Sequence, residues 1–394
     1  MRHNHVMNLV ILAISTLIGC HNNKDMNIYI DAIEEIHIDV NKIQDSCTYT
    51  DIIDSMIIIT LDKEPILADI EQIVVRDSNI YILDNSNHNI HMYNKEGKHI
   101  NTLKTLGRGE GEYICIDCFN VDTKEKTLGI LNYDKWQYYS LPEFKYLGEH
   151  NTVFEYTGLY VDTNKIYGLY LDSNEIYYPT LQIQDQYSRI DSLRLNYVSG
   201  SLSFFSTNNV SLYLSINMSD SYILDKTNDN HFQSRYKINF GKNKIPSSYF
   251  SAEESEECYK LYDQLVSTDI QNNSFAGIIT NPIIEEDKLF FTFCYQDFYN
   301  NTLKTCAYDL HSEEYVLIDK INIPSLENKF KYSHIMPRGT YKSFFVSIIQ
   351  PELFIPQEAS SSDSLTQIVN NAINDGDKDD GICTPILVLY RIKI

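Results

Sequence analysis

The chain has 394 residues, with 54 Asp and Glu against 32 Lys and Arg, for a formal charge of −22 at pH 7. That balance excludes a general nucleic-acid binder, whose affinity rests on neutralising phosphates with basic side chains. It also disfavours electrostatic attachment to anionic lipid and suits the solubility of an exported surface.

Residues 1–19 read as an export signal. Arg2 supplies a short basic start, an apolar run opens at Leu9-Val10-Ile11-Leu12 and continues to Ile18, and Gly19 follows. The run is too short to span a bilayer with room to spare. Leu17-Ile18-Gly19-Cys20 resembles a bacterial lipobox, which implies cleavage before Cys20 and lipidation of that residue. His21-Asn22-Asn23-Lys24-Asp25 then makes a polar tether. The expected organisation is a signal peptide over 1–19, a lipidated tether with N-terminal strands over 20–55, and a β domain over 56–394. No later stretch is long and apolar enough for a membrane helix, so the acyl chains are the expected membrane link.

From Ile57 onward short strands alternate with polar turns. Ile80-Tyr81-Ile82-Leu83-Asp84 is followed by the turn Ser86-Asn87-His88-Asn89, then Ile90-His91-Met92-Tyr93, the turn Asn94-Lys95-Glu96-Gly97, and His99-Ile100-Asn101-Thr102-Leu103. Such runs bounded by Asn, Asp, Ser and Gly are the signal of an antiparallel meander. Thirty Tyr residues add to the strand preference. Helical periodicity is confined to two insertions. One starts at Ser251, with Glu254 as its capping-box partner, and reaches about Val266. The other runs from Ser362 or Ser364 to about Ile373 and ends in the polar Asn374-Asp375-Gly376-Asp377.

An apolar or aromatic run ending in Asp recurs at Asp84, Asp134, Asp172 and Asp225. Repeats of roughly 40 to 50 residues made of short strands indicate propeller blades. About six such units with two helical insertions fit residues 56–394, and a pair of β-sandwiches is the alternative. A ring must close, because unpaired sheet edges invite aggregation. Ile36-His37-Ile38-Asp39-Val40 and Met56-Ile57-Ile58-Ile59 have no complete blade of their own. One of them is expected to complete the last blade beside Ile386-Leu387-Val388-Leu389.

The stretch Ile59 to Ile70, the pair Gly97-Lys98 and the turn Gly107-Arg108-Gly109-Glu110-Gly111-Glu112-Tyr113 resemble the six-bladed β-propeller lipoproteins of Bacteroidetes, an NHL/TolB-like group. Glu110 stands where that family often has Pro. The closing strand Gly381 to Lys393 is similar as well, while the middle of the chain matches only in texture. The resemblance implies an all-β six-bladed propeller, a lipid anchor at Cys20 and a location in the cell envelope, at the outer membrane. It brings no agreed activity.

Local chemistry is sparse. Gly107, Gly109 and Gly111 lack the last Gly of a dinucleotide fingerprint, since Glu112 stands there, and they read as a tight turn using positive φ. Cys115 and Cys118 have redox or zinc spacing, yet a strand over 114–121 would turn them to opposite faces. His88 and His91 meet the same objection. Seven cysteines besides Cys20, irregularly spaced, imply no disulfide framework. Asp375 to Gly381 fails the EF-hand spacing and reads as a solvated acidic loop. Glu253, Glu254, Glu256 and Glu257 read as a solvent face. Tyr138, Tyr139, Phe204, Phe205, Tyr295 and Tyr341 suit either sugar stacking or packing between blades, with packing favoured. No catalytic residue, metal or cofactor is therefore expected. The leading expectation is a ligand-binding or protein-interaction module of the envelope, with a glycan or envelope protein as partner and no nucleic acid. The alternative is a propeller hydrolase or lyase with acids drawn from distant blades.

Overall fold

Among the described residues, six sheets of four or more strands organise the chain, each built on a run of four strands paired antiparallel with their neighbours. The computed structural model describes residues 28–29 and 34–394 apart from 134, 152–155, 163–164, 171–179, 186–189, 195–201, 207–209, 217–219, 227–231, 251–259, 262, 297–302, 330–334, 358–362 and 379–381. Between 156 and 220 it describes the backbone alone. The first sheet comprises Ile70–Arg76, Asn79–Asp84, Asn89–Asn94 and His99–Leu103. The second comprises Cys118–Asp122, Thr127–Asn132, Lys135–Ser140 and Tyr146–Asn151. The third runs from Tyr156–Asp162 to Ile190–Arg194 and the fourth from Leu202–Ser206 to Phe232–Asn239. The fifth runs from Ala276–Glu285 to Tyr315–Ile318. The sixth orders Gly339–Tyr341, Phe344–Ile349, Ile386–Ile392 and Ile53–Thr60.

The opening strands of successive sheets touch one another, and Gly339–Tyr341 of the sixth touches Ile70–Arg76 of the first, so the contacts return to their start. At that seam Arg338 Nη1 donates to the Ile70 carbonyl at 3.4 Å and the Tyr341 hydroxyl to the Asp77 carbonyl at 3.2 Å. Sheets covered on both faces carry continuous apolar runs. Accordingly, Ile80 through Asp84 and Leu128 through Asn132 are buried at every position. One apolar cluster, with Tyr81, Leu83, Ile90 and Met92 against Phe119, Leu128, Ile130 and Tyr139, cements the first sheet to the second. Another joins Ile73, Ile82 and Tyr93 to Val346, Leu387 and Leu389 of the sixth.

The N-terminal region is paired before it reaches residue 56. Ile53–Thr60 lies antiparallel to Ile386–Ile392, with Leu389 opposite Ile57 and Leu387 opposite Ile59. The last sheet thus takes its outer strand from the chain's beginning, and that strand straddles the expected boundary at 55/56. Upstream, Ile28–Tyr29 and Glu34–His37 add in parallel to Phe232–Asn239, and Ile43–Gln44 adds in parallel to Tyr315–Ile318. Residues 34–60 therefore form a belt across the outer edges of three consecutive sheets. Alternation explains the hold: Ile36, Ile38 and Val40 are all buried, each contributing about 2 kcal/mol. Asp39 turns the belt by accepting from the Asn41 N–H at 3.0 Å, and its own N–H donates to the Tyr315 hydroxyl at 3.1 Å.

Several sequence expectations are revised. The strand expected over 114–121 starts only at Cys118, because Asn132 Oδ1 accepts from the Ile114 N–H at 3.2 Å and draws the preceding residues into an irregular connection. The second helix spans Ser364–Lys378, so the polar Asn374 to Asp377 is helical and not a loop. Leu365, Val369, Ala372 and Ile373 bury one face of it, while Gly376 admits Cys383, whose Sγ would lie 2.5 Å from an added Cβ. The first helix runs beyond Val266, through a π turn at Leu265–Asp269 to Ile270–Asn272. Its expected start, with Glu253 to Glu257, lies outside the described residues. The loose Asp echo falls at different places in the sheets. Asp84 ends a second strand, whereas Asp225 lies within a third strand, Asp220–Lys226; Asp134 and Asp172 lie outside the described residues.

Candidate functional site

In a four-stranded meander the first-to-second and third-to-fourth connections fall at one end. The second-to-third connection and the link to the next sheet fall at the other. Here the two ends differ greatly. The first set consists of short turns such as 77–78, 95–98, 123–126, 286–287 and 342–343. The second set holds every long insertion: 61–69, 104–117, 240–275, 319–338 and 350–385, the last carrying the helix Ser364–Lys378. Loops on a rigid scaffold are where recognition residues concentrate. The long-loop end is the candidate site.

Its apolar exposure agrees. Ile66, Leu106, Ile114, Tyr133 and Ile355 are large apolar residues open to solvent, and all five lie in connections at this end. Among the described residues, the short turns expose none of comparable size. Tyr133 holds this position at φ +55°, in left-handed backbone that non-glycine residues rarely adopt.

The Gly-rich turn is a built support for these loops. Glu112 accepts from the Gly109 N–H at 2.7 Å, Gly107 N–H donates to the Tyr113 carbonyl at 2.9 Å, and the Glu112 carbonyl accepts from Gln137 Nε2 at 2.9 Å. Gly111 uses φ +72°, and a Cβ there would meet the Tyr146 ring at 2.8 Å. Tyr113 is fully buried beneath the turn and its hydroxyl donates to the Leu103 carbonyl. No phosphate-loop geometry is formed, because the turn leads into an irregular connection and a strand.

The polar groups at this end are mostly committed to ordering loops. Buried Asp84 accepts from the Ala68 and Asp69 N–H groups, at 3.0 and 3.1 Å, and from Asn87 Nδ2 at 2.8 Å. Asp117 accepts from the Tyr133 N–H at 3.2 Å. Asp363 opens the second helix by accepting from the Thr366 N–H at 2.7 Å and also accepts from the Tyr49 hydroxyl, tying the helix to the belt. Asp269 accepts from the Tyr249 hydroxyl at 2.6 Å.

The residues with suggestive spacing do not converge. Cys115 and Cys118 sit on a connection and a strand, and burial pushes both thiols up, away from thiolate character. His88 occupies a turn at φ +49°, while His91 is buried in the first sheet with Nδ1 3.0 Å from Thr102 Oγ1. Burial pushes the His91 pKa down to about 4, which leaves it a neutral imidazole. Among the described residues no three His, Cys, Asp or Glu side chains gather in a metal-holding group. Of the aromatic candidates, Tyr139 is core, Tyr138 packs on Trp136, and Tyr341 sits at the short-turn end of the sixth sheet. Tyr295 ends a strand at the long-loop end. The side chains of Phe204 and Phe205, and Cys20 altogether, lie outside the described residues. The five exposed apolar residues carried no motif. Their signal is tertiary, since each is an ordinary Ile, Leu or Tyr in the sequence.

The architecture, a closed succession of β meanders with the long loops gathered at one end, is propeller-like. Residues 33–391 match a family described as a domain of unknown function, DUF4934, and the chain belongs to that family. No curated protein matches it. A crystal structure of an exported protein from Bacteroides fragilis is similar, with a TM-score of 0.65 at 16% identity, covering 92% of this chain and 100% of that one. A DUF4221 family member from Bacteroides vulgatus gives a TM-score of 0.47 at 9% identity, over 86% of this chain and 97% of that one. Streptogramin B lyase gives 0.41 at 10% identity, over 85% and 98%. Among the described residues no helix is long and apolar enough to cross a membrane.

Proposed function

We propose that this protein is a lipid-anchored six-bladed β-propeller of the cell envelope that binds a ligand or a protein partner through its long-loop end. The observation that carries this reading is the gathering of all long insertions, with five solvent-exposed apolar residues, at one end of the sheets. The six sheets serve as blades, and residues 53–60 close the ring. Cys20 is the acylated residue, after a signal over 1–19, and the N-terminal acyl chains hold the protein in the membrane, in the outer membrane by the lipoprotein resemblance. The exported description of the Bacteroides fragilis relative agrees with an envelope location.

A binding role fits the commitment of Asp84, Asp117, Asp269 and Asp363 to loop architecture, which leaves them engaged in fixed hydrogen bonds. The test is a binding screen against envelope glycans and proteins. Leu106→Asp and Ile114→Asp are expected to weaken a hit about tenfold or more, while Lys95→Glu and Lys124→Glu in the short turns leave it intact. Reproducible turnover of a glycosidic, ester or peptide substrate, lost on replacing an acid of the long-loop end, would replace this reading with a hydrolase or lyase. Metabolic labelling with a fatty acid tests the anchor separately: Cys20→Ala is expected to lose the label and leave the membrane fraction.

A further inference from the structure

The pairing of the N-terminal region fixes the side from which the chain comes onto the sheets. Ile28–Tyr29 and Glu34–His37 run parallel to Phe232–Asn239, the fourth strand of the fourth sheet. Ile28 lies opposite Phe232 and His37 opposite Asn239. Phe232 follows the third-to-fourth connection 227–231, at the short-turn end, and Asn239 leads into the long insertion 240–275. The N-terminal region therefore arrives from the short-turn side and travels towards the long-loop side. Sheet twist tilts such an outer strand without reversing it.

We infer that the short-turn end of the protein faces the lipid surface and the long-loop end faces away from it, so that the long loops take their ligand from the aqueous side and not from the bilayer. The inference rests on Cys20 being the acylated residue, as proposed above. Eight residues lead from Cys20 to Ile28, and they span at most about 28 Å when fully extended. That is about the length of one outer strand, since the eight residues of Phe232–Asn239 cover about 26 Å. To lay the long-loop end on the membrane, the tether would have to double back from the short-turn side and then clear the insertion 240–275, which follows Asn239 directly. No such detour is needed when the short turns face the lipid.

Charge gives a second, independent reason. The insertions 61–69, 104–117, 240–275, 319–338 and 350–385 hold twenty-one Asp and Glu against eleven Lys and Arg. The short connections 77–78, 95–98, 123–126, 141–145, 286–287, 310–314 and 342–343 hold eight against six. An anionic headgroup layer therefore repels the long-loop end more strongly once it comes within a Debye length, about 10 Å. Ile66, Leu106, Ile114, Tyr133 and Ile355, exposed at the long-loop end, are then a surface for a water-borne partner and not for insertion into lipid.

Energy transfer from labelled thiols to the bilayer tests the orientation. The full acylated chain is reconstituted into vesicles of phosphatidylethanolamine and phosphatidylglycerol that carry an acceptor-labelled lipid. Lys124→Cys and Glu110→Cys place a donor dye at exposed positions towards opposite ends of the second sheet. The strand Cys118–Asp122, about 17 Å long, lies between them in the chain. The parent chain, labelled alike, gives the background of its native thiols. Transfer falls steeply with distance, so it is expected to be several-fold stronger from Lys124→Cys than from Glu110→Cys. Lys95→Cys and Glu327→Cys repeat the comparison on other sheets, so one misfolded variant leaves the test intact. In a chain that carries its acyl groups, equal transfer from the two ends, or stronger transfer from Glu110→Cys and Glu327→Cys, overturns the orientation. A chain that carries no acyl group at Cys20 and does not float with the vesicles instead removes the anchor, and the orientation with it.

Discussion

The two ends of the sheets are built from the same strands and yet obey different constraints. At the short-turn end each connection must reverse the chain within a few residues, so backbone conformation rules. Gly97 shows this: it takes φ +83°, and a Cβ there would lie 2.1 Å from the Thr60 carbonyl oxygen. At the long-loop end the chain has length to spare and the loops are held by side chains, as Asp84 holds residues 68–69 and Glu112 holds the Gly-rich turn. The first end is steric and intolerant. The second is a set of replaceable loops pinned at a few polar points, which is the arrangement that lets one scaffold carry different specificities.

The largest effect should come from breaking the scaffold that both ends share. Ile386–Ile392 pairs on one side with Phe344–Ile349 and on the other with Ile53–Thr60. Deleting 386–394 removes two ladders and the seam between the chain's beginning and its end, so cooperative folding is expected to be lost. A truncated protein that still melts in one sharp transition near the parent temperature would show that closure is dispensable.

Next come the glycines that contrast the ends. Gly97→Ala drives a Cβ into backbone that cannot move aside, and a loss of about 2 to 4 kcal/mol is expected. Gly111→Ala, whose Cβ meets the Tyr146 ring at 2.8 Å, is expected to lose about 1 to 3 kcal/mol, because a ring can shift where a carbonyl cannot. Denaturant melts of the two variants decide the order, and the reverse order would break the contrast.

Acid and base should act on the ends in opposite senses. His91 lies towards the long-loop end, and burial lowers its pKa from 6.5 to about 4. Its neutral form is favoured in the fold, so this stabilisation is complete above pH 6.5 and is lost as pH falls towards 4. Glu285 ends the first strand of the fifth sheet at the short-turn end, and burial raises its pKa from 4.5 to about 7. Its protonated form is favoured, so this stabilisation is complete below pH 4.5 and is lost as pH rises through 7. Each amounts to about 1 to 3 kcal/mol. Melts from pH 4 to 8 should therefore lose the acid-side slope in His91→Gln and the neutral-side slope in Glu285→Gln. Slopes unchanged from the parent would remove these groups from the account.

The smallest expected effect is on stability at the loop surface. Ile66→Ser and Leu106→Ser remove exposed side chains and should shift unfolding by no more than about 0.5 kcal/mol. A larger loss would mean that these residues are packed in solution and do not form a free face.

Much of this architecture was legible in the chain because strand formation is local. Runs such as Ile80 to Leu83 and Ile90 to Tyr93, bounded by Asn, Ser and Gly, mark strands and turns by residue type alone. The second helix was legible from Leu365, Val369 and Ile373, although its polar end was misjudged: the helix continues through Gly376, where Cys383 packs closely against it. That either Ile36–Val40 or Met56–Ile59 completes the last sheet followed from the need to close a ring; that it is the latter, within Ile53–Thr60 beside Ile386–Ile392, only the structure decided.

What the sequence by itself determined is the β class and the succession of meanders, since period-two patterning and turn residues act over a few positions. Only the tertiary structure decided that Ile53–Thr60 is the strand beside Ile386–Ile392, that Glu34–His37 runs parallel on Phe232–Asn239, and that five exposed apolar residues gather in the connections at one end. Edge pairing joins backbone groups common to every residue, so the choice of edge leaves no local mark. It is decided by which edges the neighbouring sheets leave uncovered.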